Sequence, residues 1–173
     1  AMLQALFEPS EAAMGFVAGR SVVANARCHL YQSCVLNLDL ENFFPSITKP
    51  MVRRALEREL ADRILSSEVR NLICNLCTRP DESGVEVLPQ GAPTSPVLSN
   101  IVLKRLDRRL AAFAGGHGYN YTRYADDITF SHDRPIRRFS PFFMERVRSI
   151  IGEYGLKIND RKTKVSVRGE RLE

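Results

Sequence analysis

The stretch Tyr121-Thr122-Arg123-Tyr124-Ala125-Asp126-Asp127-Ile128-Thr129-Phe130-Ser131 sets two adjacent carboxylates among residues that otherwise favour strands. Tyr121, Thr122 and Tyr124 lead in and Ile128, Thr129 and Phe130 lead out, all of them β-branched or aromatic types that suit a pleated surface. The pattern predicts a hairpin whose turn falls near Ala125-Asp126-Asp127. Paired aspartates at such a junction present hard oxygen ligands on a rigid support, which is what one or two Mg²⁺ ions need if they are also to hold phosphates. Asp is equally a common turn residue, so the pair by itself does not separate a metal site from a solvated turn.

Two other stretches decide between them. Val35 to Phe44 is an apolar, strand-like run carrying Asp39, an acid its hydrophobic pattern does not require. A carboxylate in such a run is costly to bury unless it is paired or faces a cation, so Asp39 is the candidate third ligand, with a strand-end cap as the plainer alternative. Leu88-Pro89-Gln90-Gly91-Ala92-Pro93-Thr94-Ser95-Pro96 is a rigid Pro/Gly loop running into a helix, and such a loop lets backbone approach a ligand.

In this order and spacing the three stretches resemble the polymerase motifs of reverse transcriptases. Tyr124-Ala125-Asp126-Asp127 resembles the family's Tyr-x-Asp-Asp box, Asp39 to Phe44 its first catalytic motif, and Leu88 to Pro96 its Leu-Pro-Gln-Gly motif. Gly155 to Thr163 is similar to the Gly-Leu-x-x-x-x-x-Lys element that follows the catalytic hairpin. Residues Met14 to Ser21 resemble the glycine-punctuated Gly-Phe-x-x-Gly-Arg-Ser segment of bacterial members, and Asn25-Ala26-Arg27-Cys28-His29 matches an Asn-Ala-x-x-His box associated with retron enzymes. One departure is Asn42, where many bacterial members carry Asp.

The resemblance implies RNA-templated DNA synthesis, with a primer hydroxyl attacking the α-phosphate of a deoxynucleoside triphosphate. It assigns metal binding to Asp39, Asp126 and Asp127, with Leu40 beside them at metal and substrate. Mg²⁺ is the implied cofactor, as two ions, with Mn²⁺ as a possible substitute. Lys162 is the expected general acid for the departing pyrophosphate. Gln90 and Gly91 are expected around the nucleotide and template, and Phe44 beneath the sugar, where a ring excludes a 2′-hydroxyl. Arg20, Asn25, Arg27 and His29 are candidate contacts to RNA or DNA, with a satisfied structural residue as the alternative for a lone histidine such as His29. The implied partners are an RNA template, a DNA or RNA primer and deoxynucleotides, and the implied setting is the bacterial cytoplasm, with no membrane. A group II intron maturase or an antiviral-defence reverse transcriptase shares these motifs. The competing reading from another class is a non-catalytic nucleic-acid-binding palm fragment.

The expected fold is α+β: a polymerase palm, that is a split βαβ, ferredoxin-like sheet with helices on one face, with partial fingers helices and without a thumb. Residues of about 1–33 and 51–88 are expected as fingers, and about 34–50 and 89–173 as palm, within one unit. Ala1-Met2 reads as an expression scar before an internal start, and the chain closes at Arg171-Leu172-Glu173, so a fragment of a longer protein is expected.

The rest of the chain is consistent with this. Its 173 residues permit one domain with a substantial core, and a formal charge of +5 suits a polyanionic partner without proving one. Cys28, Cys34, Cys74 and Cys77 occur without a signal peptide or long apolar run, which argues against disulfides and membrane spans. Cys74-Asn75-Leu76-Cys77 has zinc-like spacing but no second Cys/His pair nearby. Helices are predicted from Ser21, from Thr48-Pro50, over 66–77, from Ser95 to about Ala114 with Ser95 as its cap, and from Ser140-Pro141, with a last strand over 163–167. Arg53, Arg54, Arg58 and Arg63 fall on the charged faces of the Thr48-Pro50 helix.

Overall fold

The computed structural model describes residues 2–60, 66–134 and 139–169; Ala1, Arg63 and the closing Arg171-Leu172-Glu173 lie outside them. The described chain divides into two compact units, one of residues 1–10 and 42–104, the other of residues 11–41 and 105–173. Residues 11–33 fall in the same unit as the strands of the main sheet.

The second unit is built on a four-stranded antiparallel sheet. Its strands are β1 (Cys34–Asp39), β4 (Asn120–Tyr124), β5 (Asp127–His132) and β6 (Lys164–Val167), in spatial order β4-β5-β1-β6. β4 and β5 form the predicted hairpin, with Tyr124 opposite Asp127 and only Ala125 and Asp126 in the turn. β1 lies against β5, Asp39 opposite Asp127 and Asn37 opposite Thr129. β6 lies on the other side of β1, with Lys164 opposite Asn37.

Side chains alternate across a strand, so this register sorts the sheet into two faces. Leu36, Leu38, Ile128, Phe130, Tyr121 and Arg123 share one face and are buried. Asn37, Asp39, Thr122, Tyr124, Asp127, Thr129, Ser131 and Lys164 share the other. The apolar face is covered by α6 (Pro141–Gly152), whose Phe143, Val147, Ile150 and Ile151 are buried at helical spacing. Phe143 meets Phe130 edge-on at 5.3 Å and stacks on Phe113, which belongs to the last turns of α5 (Ser95–Gly116), at 5.2 Å. Ser140 caps α6 as predicted, accepting from the Phe143 amide at 3.1 Å. The short α2 (Val22–Arg27), capped by Ser21, lies instead on the polar face.

The first unit carries α1 (Met2–Leu6), α3 (Lys49–Glu59), α4 (Ser67–Cys77), the two-residue strands β2 (Arg79–Pro80) and β3 (Glu86–Val87), and α5 up to Lys104. Val52, Ala55 and Leu56 are buried on one face of α3, as their spacing predicts, and Leu60, just past its end, is buried with them. Ser95 is not the cap of α5: the helix begins at Ser95, whose hydroxyl donates to the Pro89 carbonyl at 2.6 Å. A hydroxyl so placed ties the Pro/Gly loop back onto the helix. α5 ends within the glycine run 115–118, close to the expected Ala114: it continues through Gly116, and Gly118 adopts φ +72°. All four cysteines are free thiols, and burial pushes the Cys74 thiol up.

Candidate active site

Asp39 ends β1 and Asp127 begins β5, and antiparallel register sets them side by side on the polar face. Asp126 occupies the intervening turn, and its carbonyl accepts from the Leu40 amide at 3.1 Å, which ties the turn to the end of β1. Segment 157–159 closes the other side. Asn159 N–H donates to the Asp39 carbonyl at 2.8 Å and Glu41 N–H to the Lys157 carbonyl at 2.9 Å, pairing Leu40 with Ile158. The Leu40 side chain is buried in the core, so only its main chain is placed to reach a ligand. The chain then turns through a 3₁₀ segment, Asp160–Lys162, and the Lys162 Nζ donates to Asp39 Oδ2 at 3.0 Å.

Electrostatically the three acids share one field. Partial desolvation, then the charges of Asp126 and Asp39, hold the Asp127 carboxyl above the usual range, and Lys162 opposes this. The hydrogen bond and charge of Asp39 in turn raise the Lys162 ammonium. Among the described residues no group of three or more His, Cys, Asp or Glu side chains is placed to hold a metal ion, so Asp39, Asp126 and Asp127 do not form a ready-made three-ligand site. The donor set nevertheless fits a hard divalent cation: all three acids offer oxygen, and their mutual repulsion is what a cation relieves.

Asp39 and Asp127, but not Asp126, open onto a cleft of about 400 Å³ lined also by Asn37, Tyr124, Thr129, Lys162, Lys164 and, from α2, Val22 and Asn25. Asn25 Oδ1 is buried there without a hydrogen-bond partner, while Thr129 donates to Asn37 Oδ1 at 3.1 Å. His29 is held at both ring nitrogens, 2.7 Å from Ser131 Oγ and 2.7 Å from Thr122 Oγ1, and burial lowers its pKa to about 4. It fastens α2 to the sheet as a neutral imidazole. Arg20 donates to the carbonyls of Glu11 and Ala13, bracing the segment that runs beside β4. Of the candidate nucleic-acid contacts, Asn25 alone lines the cleft.

Phe44, Gln90 and Gly91 belong to the other unit. Phe43 is buried, and its ring lies 5.0 Å from that of the half-buried Phe44. Gln90 and Gly91 are exposed, and Gly91 takes φ +84°, a conformation in which a side chain is strained.

Sequence reasoning passed over a second charged group in the sheet's unit. Arg123, on the apolar face of β4, pairs with Asp107 of α5, Nε to Oδ1 at 2.7 Å and the second nitrogen to Oδ2 at 2.8 Å, both side chains fully buried. The signal was present: Asp107 falls on the α5 stripe with Leu103, Leu106 and Leu110, and Arg123 alternates in phase with Tyr121 rather than with Tyr124. Two opposite charges at two core positions announce a buried pair.

An antiparallel split sheet with its acids at the hairpin and the facing strand end is the architecture of a polymerase palm. The chain belongs to the reverse transcriptase family: the family described as "Reverse transcriptase (RNA-dependent DNA polymerase)" matches residues 2–171. Its curated relatives include the retron Mx65 reverse transcriptase of Myxococcus xanthus, 41% identical over 98% of this chain and 41% of the relative. The retron Mx162 enzyme of the same organism is 36% identical over 92% of this chain and 36% of its own length. The retron Ec86 reverse transcriptase of Escherichia coli is 37% identical over 88% of this chain and 44% of that protein. The chain thus spans about two fifths of the relatives' length. Among solved structures it is similar to telomerase from Candida albicans with a fragment of telomeric RNA (TM-score 0.57, 15% identity, 97% of this chain and 34% of that one). A truncated apo telomerase from Candida tropicalis gives TM-score 0.56 at 12% identity, over 81% of this chain and 31% of that one. At those identities the likeness is one of fold. The family assignment implies dependence on a divalent metal. Among the described residues no helix is long and apolar enough to cross a membrane.

Proposed function

We propose that the chain carries the nucleotide-joining site of an RNA-templated DNA polymerase of the retron type, acting in the bacterial cytoplasm. The observation that carries the reading is the opposition of Asp39 and Asp127 in register, with Asp126 in the two-residue turn between the hairpin strands. The reaction joins the oxygen of a primer hydroxyl to the α-phosphorus of a deoxynucleotide, breaks the bond to the β-phosphate bridging oxygen, and releases pyrophosphate and a proton. When bound, Mg²⁺ (or Mn²⁺ in its place) supplies Lewis-acid charge at the reacting oxygens. Asp39, Asp126 and Asp127 would hold it, with the Leu40 main chain alongside.

This chain's own residues position the rest. Lys162 is the candidate proton donor to pyrophosphate, and its ammonium is held beside the acids by its bond to Asp39. Asn25 offers its unpartnered oxygen to a hydroxyl or amine of the nucleic acid. Gln90 and Gly91 would meet nucleotide and template, and Phe44 would close the space of a ribose 2′-hydroxyl. The ratio of deoxynucleotide to ribonucleotide incorporation in Phe44→Ala tests that gate, and an unchanged ratio removes it.

The decisive experiment is primer extension on an RNA template by the complete protein and its Asp126→Asn variant. Loss of extension by about a hundredfold or more, at an unchanged unfolding midpoint, is expected. A folded variant that keeps most of its activity would turn the assignment toward a non-catalytic nucleic-acid-binding module.

A further inference from the structure

The catalytic turn is gripped from behind. Ala125, its first residue, has φ +57°, a left-handed conformation that an L-residue with a side chain rarely adopts unless its surroundings hold it there. The third guanidinium nitrogen of Arg123, the one that Asp107 does not use, donates to the Ala125 carbonyl at 3.0 Å. Asp107 fixes that guanidinium by a two-point bond, and the Tyr121 hydroxyl donates to Asp107 Oδ1 at 2.8 Å, so the carboxylate is itself oriented. From the other side the segment 12–15 runs beside β4: Arg123 N–H donates to the Ala12 carbonyl at 2.8 Å and Met14 N–H to the Arg123 carbonyl at 2.7 Å. It then brings Gly15 so close that a Cβ there would lie 2.6 Å from the Ala125 nitrogen. Every one of these residues belongs to the sheet's unit.

We infer that Arg123, oriented by Asp107, is a positioning residue that holds the Ala125-Asp126 turn in its left-handed form and thereby sets where Asp126 and Asp127 present their carboxylates. The inference rests on the polymerase reading and deepens it. Stability alone does not call for such a pair, because well-packed apolar residues in place of a buried ion pair are often neutral or stabilising. A donor to the Ala125 carbonyl is what apolar residues cannot supply. A rigid planar fork that grips a carboxylate with one edge and still offers a further N–H is a property of arginine and not of lysine.

The test is the complete protein bearing Asp107→Leu with Arg123→Met, beside Arg123→Lys and Asp126→Asn. Three readouts are taken: the unfolding midpoint, the split of primer extension into kcat and KM for deoxynucleotide, and Mn²⁺ binding followed by electron paramagnetic resonance without nucleic acid. For the double variant the expectation is a near-normal midpoint, kcat lower by about tenfold to a hundredfold, little change in KM, and weaker Mn²⁺ binding. Arg123→Lys keeps the charge against Asp107 but cannot bridge both carboxylate oxygens and the Ala125 carbonyl, so the same fall in kcat is expected; it serves if the double variant does not fold. A folded variant of either kind with normal kcat and normal Mn²⁺ binding overturns the inference. Asp126→Asn separates the failures. If it stays active, the polymerase reading falls whatever Arg123 does; if it is inactive while the folded double variant is normal, only the positioning role falls.

Discussion

The two faces of one small sheet handle acidic residues in opposite ways. On the apolar face Asp107 is fully buried, yet each of its oxygens is bonded, to the Arg123 guanidinium and to the Tyr121 hydroxyl. On the polar face Asp39, Asp126 and Asp127 are only partly covered, with Lys162 as the cation bound to Asp39 and with partial desolvation, then the charges of Asp126 and Asp39, raising Asp127. The first cluster is complete within the protein. The second keeps carboxylate charge that the protein does not neutralise, and charge held in that state is available to a ligand. A fold tolerates both because a buried carboxylate without its cation is ruinous, whereas a partly solvated one is merely uncomfortable.

Substitutions on the two faces should therefore separate stability from chemistry. The largest loss of stability is expected from Asp107→Asn, which leaves the buried Arg123 charge without its partner and should destabilise the chain by about 3–5 kcal/mol. Urea unfolding measures it, and an unchanged midpoint would erase the distinction between the faces.

Acidification comes next. The pKa of His29 is lowered from 6.5 to about 4 by burial, so the unfolded chain takes up its proton first. Stability is whole above pH 6.5 and is lost as pH falls from 6.5 toward about 4, by about 1 kcal/mol or somewhat more once the partial exposure of the ring is allowed for. Unfolding followed across that window should show the slope, and His29→Gln should flatten it. A slope that survives the substitution belongs to another group.

Asp127→Asn should move stability slightly the other way. The folded carboxyl is raised above 3.8, so ionising it opposes folding, and that penalty appears as pH rises through the folded value. Removing the charge should leave the protein as stable or more stable by a few tenths of a kcal/mol near neutrality. Primer extension should fall nonetheless, and a destabilised Asp127→Asn would place this acid with the structural group. The smallest change in stability is expected for Lys162→Ala, whose ammonium is exposed; its midpoint should not move, while single-turnover nucleotide incorporation slows by about tenfold or more. An unchanged incorporation rate would leave Lys162 as a surface partner of Asp39 alone.

Much of this was legible in the residues themselves. The hairpin, its turn at Ala125-Asp126, the strand ending at Asp39, and the helices begun by Ser21, Thr48, Ser66 and Ser140 follow from β-branched and aromatic runs, from capping side chains and from apolar spacing. These are local signals, and local structure obeys them because each depends on neighbours within a few positions. The start of α5 was misjudged for the same reason. Ser95 has the chemistry of a cap but lies inside the helix and bonds the carbonyl of Pro89.

The sequence by itself determined which acids are candidates, the strand–helix–hairpin–helix–strand order and, through its motifs, the family. Only the tertiary structure decided what each polar residue does. The register set Asp39 against Asp127. Of the candidate nucleic-acid contacts, His29 and Arg20 bond protein hydroxyls and carbonyls, the structural alternative the sequence left open for His29, while Asn25 keeps an unpartnered oxygen in the cleft. Asp107 and Arg123, 16 residues apart, became one unit behind the Ala125-Asp126 turn. The physical reason is range: capping and periodicity act between neighbours along the chain, but the pairing of a charge or a hydroxyl depends on which distant group the fold brings within about 3 Å of it.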